Sequence, residues 1–185
     1  LRRLTTSPDP DSQPAWSPDN TKIAYLSQQP DGYQIFVMRS DGSQKRQLTR
    51  GPGFNLFPDW APRPPPKSTH LPPSTFIAFT STRDGNEEIY TVDVSGQSYL
   101  RLTNHPARDS FPTWSPDGSF IAFESLRDGN SEIYVMARDG TGLTNLTNSP
   151  WADQQPSWSP QGHLILFSSN RDGDFDIYRM AADGS

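Results

Sequence analysis

Phe111-Pro112-Thr113-Trp114-Ser115-Pro116-Asp117-Gly118, then Phe120-Ile121-Ala122-Phe123-Glu124-Ser125, then Arg127-Asp128-Gly129-Asn130 and Glu132-Ile133-Tyr134-Val135-Met136, reads as three short strands joined by two tight turns. Proline presets φ in the first turn and Asp-Gly accepts the left-handed conformation in both. The apolar, aromatic and β-branched runs between them suit half-buried strands. Asp139-Gly140 turns the chain again, and Leu143 to Thr147 makes a fourth strand. The unit is written four times. Pro-x-Trp recurs at Pro14–Trp16, Pro58–Trp60, Pro112–Trp114 and Pro156–Trp158, spaced by 44, 54 and 44 residues. Leu-Thr keeps the same rhythm at Leu4-Thr5, Leu48-Thr49, Leu102-Thr103 and Leu146-Thr147. A period of this length, with one four-stranded antiparallel unit per repeat, predicts an all-β fold, the β-propeller.

The repeats divide residues 1–185 into a single propeller domain, with blades over 6–49, 50–103, 104–147 and 148–185 plus 1–5. Repeat two departs from the plan by a Pro-rich insertion at 62–75, which is expected to be extended and polyproline-like. It reads as a tolerated loop-tip insertion, with a partner-binding loop as the alternative. Leu1 to Thr5 matches the close of a repeat, and Ala182-Asp183-Gly184-Ser185 matches Ser40-Asp41-Gly42-Ser43, which such a segment follows. The expectation is that Leu1–Thr5 supplies the outer strand of a closing blade. Closure within one chain, self-association of two copies through open blade edges, and a place in a larger propeller all satisfy it. A lone four-blade arc would expose two apolar faces, a larger patch than soluble monomers carry.

Only 32% of the residues are hydrophobic, yet they fall in phase with the repeat, which argues against disorder despite 19 prolines. A net charge of −5 argues against a nucleic-acid partner. No run is long enough for a transmembrane segment. The chain has no cysteine, which excludes disulfide frameworks and thiolate metal sites.

Trp114-Ser115-Pro116-Asp117-Gly118, Ile121-Ala122-Phe123, Ser125, Arg127-Asp128-Gly129, Glu132-Ile133-Tyr134 and Leu146-Thr147 together resemble the repeat of the TolB-like, WD-like β-propeller family. The same repeat occurs in the propeller domains of prolyl-oligopeptidase-type and tricorn-type proteases. The resemblance implies a scaffold for protein binding and a periplasmic or extracellular location. The family pattern has six blades and a smaller α/β domain before them, neither of which this sequence shows.

Asp11, Asn55, Asp109 and Asp153 stand three residues before each blade's Pro-x-Trp proline. Entering the innermost strand, they are expected to ring the channel mouth, where carboxylates attract a cation or a cationic partner group. The competing reading consumes each in an ion pair. Arg83, Arg127 and Arg171 lie in turns on the same face, and pairing with the following blade (Arg83–Asp109, Arg127–Asp153) explains why blade one lacks the Arg and blade two the Asp. The turns Asp84-Asn86-Glu88, Asp128-Asn130-Glu132 and Asp172-Asp174-Asp176 place oxygens as at the start of a calcium loop, but Asp-Gly-Asn also makes a good hairpin. Calcium is the single cofactor candidate; none is expected. Trp16, Trp60, Trp114 and Trp158 read as blade packing rather than a sugar ladder, and Trp151 as an exposed contact or a loop anchor.

No Gly-x-Ser-x-Gly, His-Glu-x-x-His or phosphate-cradling loop occurs, and His70, His105 and His163 occupy different repeat positions. A non-enzyme is expected: a propeller interaction module docking a protein partner at the channel-mouth face. The alternative is a propeller that controls access to a hydrolase or lyase site.

Overall fold

The structure, a computed structural model, describes residues 3–62 and 76–185; Leu1, Arg2 and most of the expected insertion, His70 included, lie outside the described residues. Four antiparallel sheets follow in chain order among the described residues. Blade one is Asp11–Trp16 (β1), Lys22–Gln29 (β2), Gly32–Arg39 (β3) and Arg46–Gln47 (β4). Blade two is Asn55–Trp60 (β5), Phe76–Ser81 (β6), Glu88–Asp93 (β7) and Tyr99–Arg101 (β8). Blade three is Asp109–Trp114 (β9), Phe120–Ser125 (β10), Glu132–Ala137 (β11) and Thr144–Asn145 (β12). Blade four is Asp153–Trp158 (β13), Leu164–Ser169 (β14) and Asp176–Ala181 (β15), with no fourth strand beside β15 among the described residues.

The turns behave as their residues dictate. Ser115 Oγ donates to Asp117 Oδ1 (2.6 Å), and the Ser119 N–H reaches the same oxygen (3.0 Å), closing the β9–β10 turn over Gly118 at φ 70°. In the matching turn of blade one, hydrogen bonds from Ser17 and Thr21 hold the Asp19 carboxyl down at about 2.

Blades pack by a rule that repeats. The second and third strands of each blade lie against the first strand of the next. Ala78 and Ile89 of blade two share one buried cluster with Trp114, Ile121, Phe123, Tyr134 and Met136 of blade three. Ala24 and Ile35 meet Trp60, Ile77, Phe79 and Tyr90 in the same way. The Trp60 indole N–H also donates back to the Ala15 carbonyl across the seam (3.0 Å). The repeated tryptophans of blades two and three are therefore core, as expected. Each Leu-Thr segment ties the seam from outside: the carbonyls of Leu48, Leu102 and Leu146 lie 3.1, 3.0 and 3.1 Å from where a Cβ on Gly96, Gly140 and Gly184 of the next blade would sit. All three glycines have positive φ, so glycine is required there twice over.

Leu4 takes that role on blade one, its carbonyl at the equivalent 3.1 Å over Gly42. Of the arrangements that the sequence allowed, this rules out closure of the last blade by residues 3–5 within the chain. Residues 3–5 stay with blade one because Leu4 is held on the Asp-Gly turn there, and no strand among the described residues pairs with the outer edge of β15. Trp16 of blade one is 57% exposed and Ile177 of blade four 73%, while their counterparts Trp114 and Ile133 are buried.

Candidate functional site at the channel

The Asp and Arg positions meet, but not as expected. Asp109 pairs with Ser125 in the β9–β10 register, so a residue two places further on returns to the same blade. Arg127 accordingly binds Asp109 of its own blade, Nη2 to Oδ2 at 2.9 Å, with its Nε on Ser125 Oγ (2.8 Å). Its guanidinium lies 4.7 Å from the Tyr134 ring centroid and 5.9 Å from that of Phe123, and the Tyr134 hydroxyl donates to Asp128. Arg171 repeats this with Asp153 (3.1 Å), and Arg83 with Asn55 Oδ1 (2.9 Å). The inter-blade pairs Arg83–Asp109 and Arg127–Asp153 are thus replaced by pairs within blades.

The two absences that suggested inter-blade pairing have separate causes. Blade one has Pro30 in place of the arginine, and Asp11 accepts from Ser7 Oγ instead (3.0 Å). Blade two has Asn55 because it faces Gln34: Asn55 Nδ2 donates to Gln34 Oε1 at 3.0 Å. At the next seam the corresponding residues are Asp109 and Glu88. Burial pushes the Asp109 carboxyl up, Ser125 and Arg127 oppose this, and the Glu88 charge adds to it.

Asn55, Asp109 and Asp153 are buried, so they do not form an exposed ring at the channel mouth. Most of the calcium candidates are likewise spoken for. Asn86 donates to the carbonyls of His105 and Ala107, and Asn130 to those of Ser149 and Trp151. Glu88 and Glu132 accept from Thr103 and Thr147, and Asp84, Asp128 and Asp172 from tyrosine hydroxyls. Asp174 and Asp176 are exposed. Among the described residues, no group of three or more His, Asp or Glu side chains could hold a metal ion. His105 precedes β9 and His163 follows β13, at opposite ends of the blades.

The channel itself is built by residues the sequence reading passed over. Every inner strand is bulged, and the residue before its proline is left-handed: Gln13 (φ 48°), Phe57 (54°), Phe111 (54°) and Gln155 (53°). Left-handed backbone costs a non-glycine residue about 1–2 kcal/mol, and a following proline favours extended backbone instead. Its recurrence in all four inner strands, on two different kinds of side chain, makes this strained bulge part of the blade plan. The Phe57 and Phe111 rings lie 4.0 Å apart, and Gln13 Oε1 accepts from the Phe57 N–H (2.8 Å). With Pro58, Asp59, Pro112, Thr113, Gln155 and Pro156, the two rings line a cavity of about 330 Å³. Phe54 (49% exposed) and Trp151 (44%) stand just before Asn55 and Asp153, at the end where β5 and β13 begin. The usable signal was the residue before each Pro-x-Trp proline, read only as strand.

Asp59 sits in this cavity with neutral partners, the N–H groups of Trp114 (2.8 Å) and Trp60 and the Thr113 hydroxyl. Burial pushes its carboxyl up to about 6. A raised carboxyl favours the fold below about pH 4, and that contribution is lost as pH rises through about 6. Two pH units correspond to about 2.7 kcal/mol, lowered to roughly 2 by the side chain's residual exposure. Between pH 4 and 7, Asp59→Asn is expected to gain roughly 2 kcal/mol relative to the parent in urea unfolding. Parallel pH profiles for the two proteins would count against a desolvated Asp59.

The TolB beta propeller domain model matches residues 67–142 and 126–185, and the chain belongs to that family. The Tol-Pal system protein TolB of Desulfosudis oleivorans is 35% identical over 102 residues, 55% of this chain and 21% of that protein. The crystal structure of TolB from Acinetobacter baumannii superposes with a TM-score of 0.79 at 25% identity, over 97% of this chain and 43% of that one. A puromycin-hydrolyzing peptidase of Mycobacterium tuberculosis shares the fold, with TM-score 0.77 and 19% identity over 98% of this chain and 29% of that one. The chain spans about a third or less of the length of the curated relatives it matches.

Proposed function

We propose that this chain is a non-catalytic propeller module that holds a protein partner at its channel-mouth face. An apolar segment of the partner inserts toward Phe57 and Phe111. The observation that carries this reading is the set of strained inner-strand residues presenting two aromatic rings over a cavity, with Phe54 and Trp151 exposed where β5 and β13 begin. Aromatic anchors of this kind dominate binding energy at interfaces. Similarity to a Tol-Pal system protein supports an assembly role and a periplasmic or extracellular location. A second reading, a propeller that restricts access to a hydrolase site, draws on the fold shared with the puromycin-hydrolyzing peptidase.

The test compares the parent with Phe57→Ser/Phe111→Ser by chemical cross-linking in an envelope extract, after confirming that both melt as folded domains. A cross-linked protein species recovered with the parent and lost with the double variant is the expected result. Equal recovery by both would overturn the channel as the docking site. Turnover of ester, peptide or oligouronide substrates above background would overturn the non-catalytic assignment.

A further inference from the structure

Three seams join the four blades, and they do not close alike. In the first two the repeated tryptophan is buried, as is the third-strand residue paired with the seam alanine: Trp60 with Val37, and Trp114 with Thr91. Phe76 packs against the core of the second seam. At the same places the third seam has Trp158 and Val135, both half-buried, and Phe120, 46% exposed. A cavity of about 540 Å³ lies between these side chains, the size of a small-molecule site. The seam is otherwise closed. Ala122 and Ile133 of blade three pack there on Ile165, Phe167 and Met180 of blade four, and the Leu146 carbonyl meets Gly184 at its outer edge. The cavity is thus a gap inside a formed seam.

Departures from the repeat explain the gap. Val94 of blade two packs onto the first seam, and blade three has Arg138 at that place; blade four has Ala182, which lines the cavity. The turn after β13 changes as well. In blades one and three it reads Asp19-Asn20-Thr21 and Asp117-Gly118-Ser119. The Asp carboxylate there accepts from the serine before it and from the N–H two residues on. Blade four reads Gln161-Gly162-His163, and Gln161 makes neither of these hydrogen bonds. Gln161 and His163 are exposed and line the cavity, and among the described residues neither side chain is hydrogen-bonded. The turn has lost its cap and gained two unengaged polar groups at the edge of the gap.

The remaining lining fixes the chemistry. Phe120 and Trp158 supply aromatic rings, Pro116 and Val135 an aliphatic wall, and Asp117 the single carboxylate. Burial would push the Asp117 carboxyl up, but hydrogen bonds from Ser115 and Ser119 outweigh it and hold the group below its ordinary range, so it is ionised at neutral pH. No Lys or Arg among the described residues forms an ion pair with it. A carboxylate without a countercharge beside two aromatic rings suits an organic cation, since ring quadrupoles and the carboxylate both attract positive charge. We propose that the seam between blades three and four binds a small organic cation with an apolar body, an arylalkyl- or alkylammonium compound. Its charge rests against Asp117, Trp158 and Phe120, and its body lies along Val135 and Pro116. The site stands where β9 and β13 finish, at the other end of the blades from Phe54 and Trp151, and shares no lining residue with the channel cavity. Ligand binding here is therefore separable from partner docking.

The test follows the Trp158 indole N–H resonance of the full chain, assigned among the five tryptophans through Trp158→Phe. The probes are benzyltrimethylammonium, benzyl alcohol and benzenesulfonate, which share a ring and differ in charge, with methyl glucoside as a sugar control. The cation is expected to give a saturable shift in the millimolar range, the alcohol to bind about tenfold more weakly, and the sulfonate not to bind. Asp117→Asn keeps an acceptor for the Ser119 N–H and should lower the affinity for the cation to that for the alcohol. Ala182→Phe fills the cavity and should abolish the shift with every probe. Unfolding midpoints establish that each variant is folded, and if Ala182→Phe is not, Asp117→Asn decides alone. The proposal is overturned by a cation that gives no saturable shift, by equal affinity for cation and alcohol, or by Asp117→Asn binding the cation as the parent does. A shift that survives in folded Ala182→Phe also overturns it, as does tighter binding of methyl glucoside, which would make this a sugar site.

Discussion

Arg127→Ala is expected to lower the unfolding free energy by about 3–5 kcal/mol, because it leaves the buried Asp109 carboxylate without its cation. The guanidinium bridges Asp109 and Ser125 and lies over two aromatic rings, and all of these contacts go at once. Asp109→Asn placed in the same background should recover more than half of the loss. Asn55 already shows that a neutral amide fits this position, hydrogen-bonded to the serine of the second strand and facing the preceding blade. Urea unfolding of the four proteins in the cycle gives the coupling directly. A loss below 1 kcal/mol for Arg127→Ala would mean that Asp109 does not depend on it.

Ile133→Ala and Ile177→Ala make the same chemical change at the same place in the repeat, and their expected costs differ most. Ile133 is fully buried at the seam between blades three and four, so its truncation removes about 2–5 kcal/mol. Ile177 is 73% exposed on blade four, and its truncation should stay within about 0.5 kcal/mol. Urea unfolding of both variants beside the parent compares the two. Equal costs there would show that the face of blade four is covered within the chain.

The blade plan was legible in the sequence because turns and strands obey local rules. Ser-Pro-Asp-Gly, Arg-Asp-Gly-Asn and the apolar runs between them each specify their own conformation, and fourfold repetition fixes the alignment. The partners of Arg127 and Arg171 were not legible in this way. Whether an arginine reaches its own blade or the next depends on the β9–β10 register, which a bulge shifts. The bulge itself was hidden, since a left-handed Phe before a proline runs against the preference of both residues. That is why Phe57, Phe111 and Asp59 escaped notice while the charged Asp series drew it. Asn55 was seen as an exception to the series, but its reason, Gln34, lies on the preceding blade.

The Leu-over-Gly contact bears on how molecules of this type can lengthen. Blades two to four each touch the preceding blade through the same carbonyl and the same glycine, so this contact does not record which blade stands on either side. A segment of 44 residues, duplicated in phase from any starting point, inherits a glycine for the leucine before it and a leucine for the glycine after it. Curvature, not new chemistry, then limits the count. Gene duplication in such a chain meets no penalty at this contact, and sequence drift afterwards can be concentrated elsewhere on the blade.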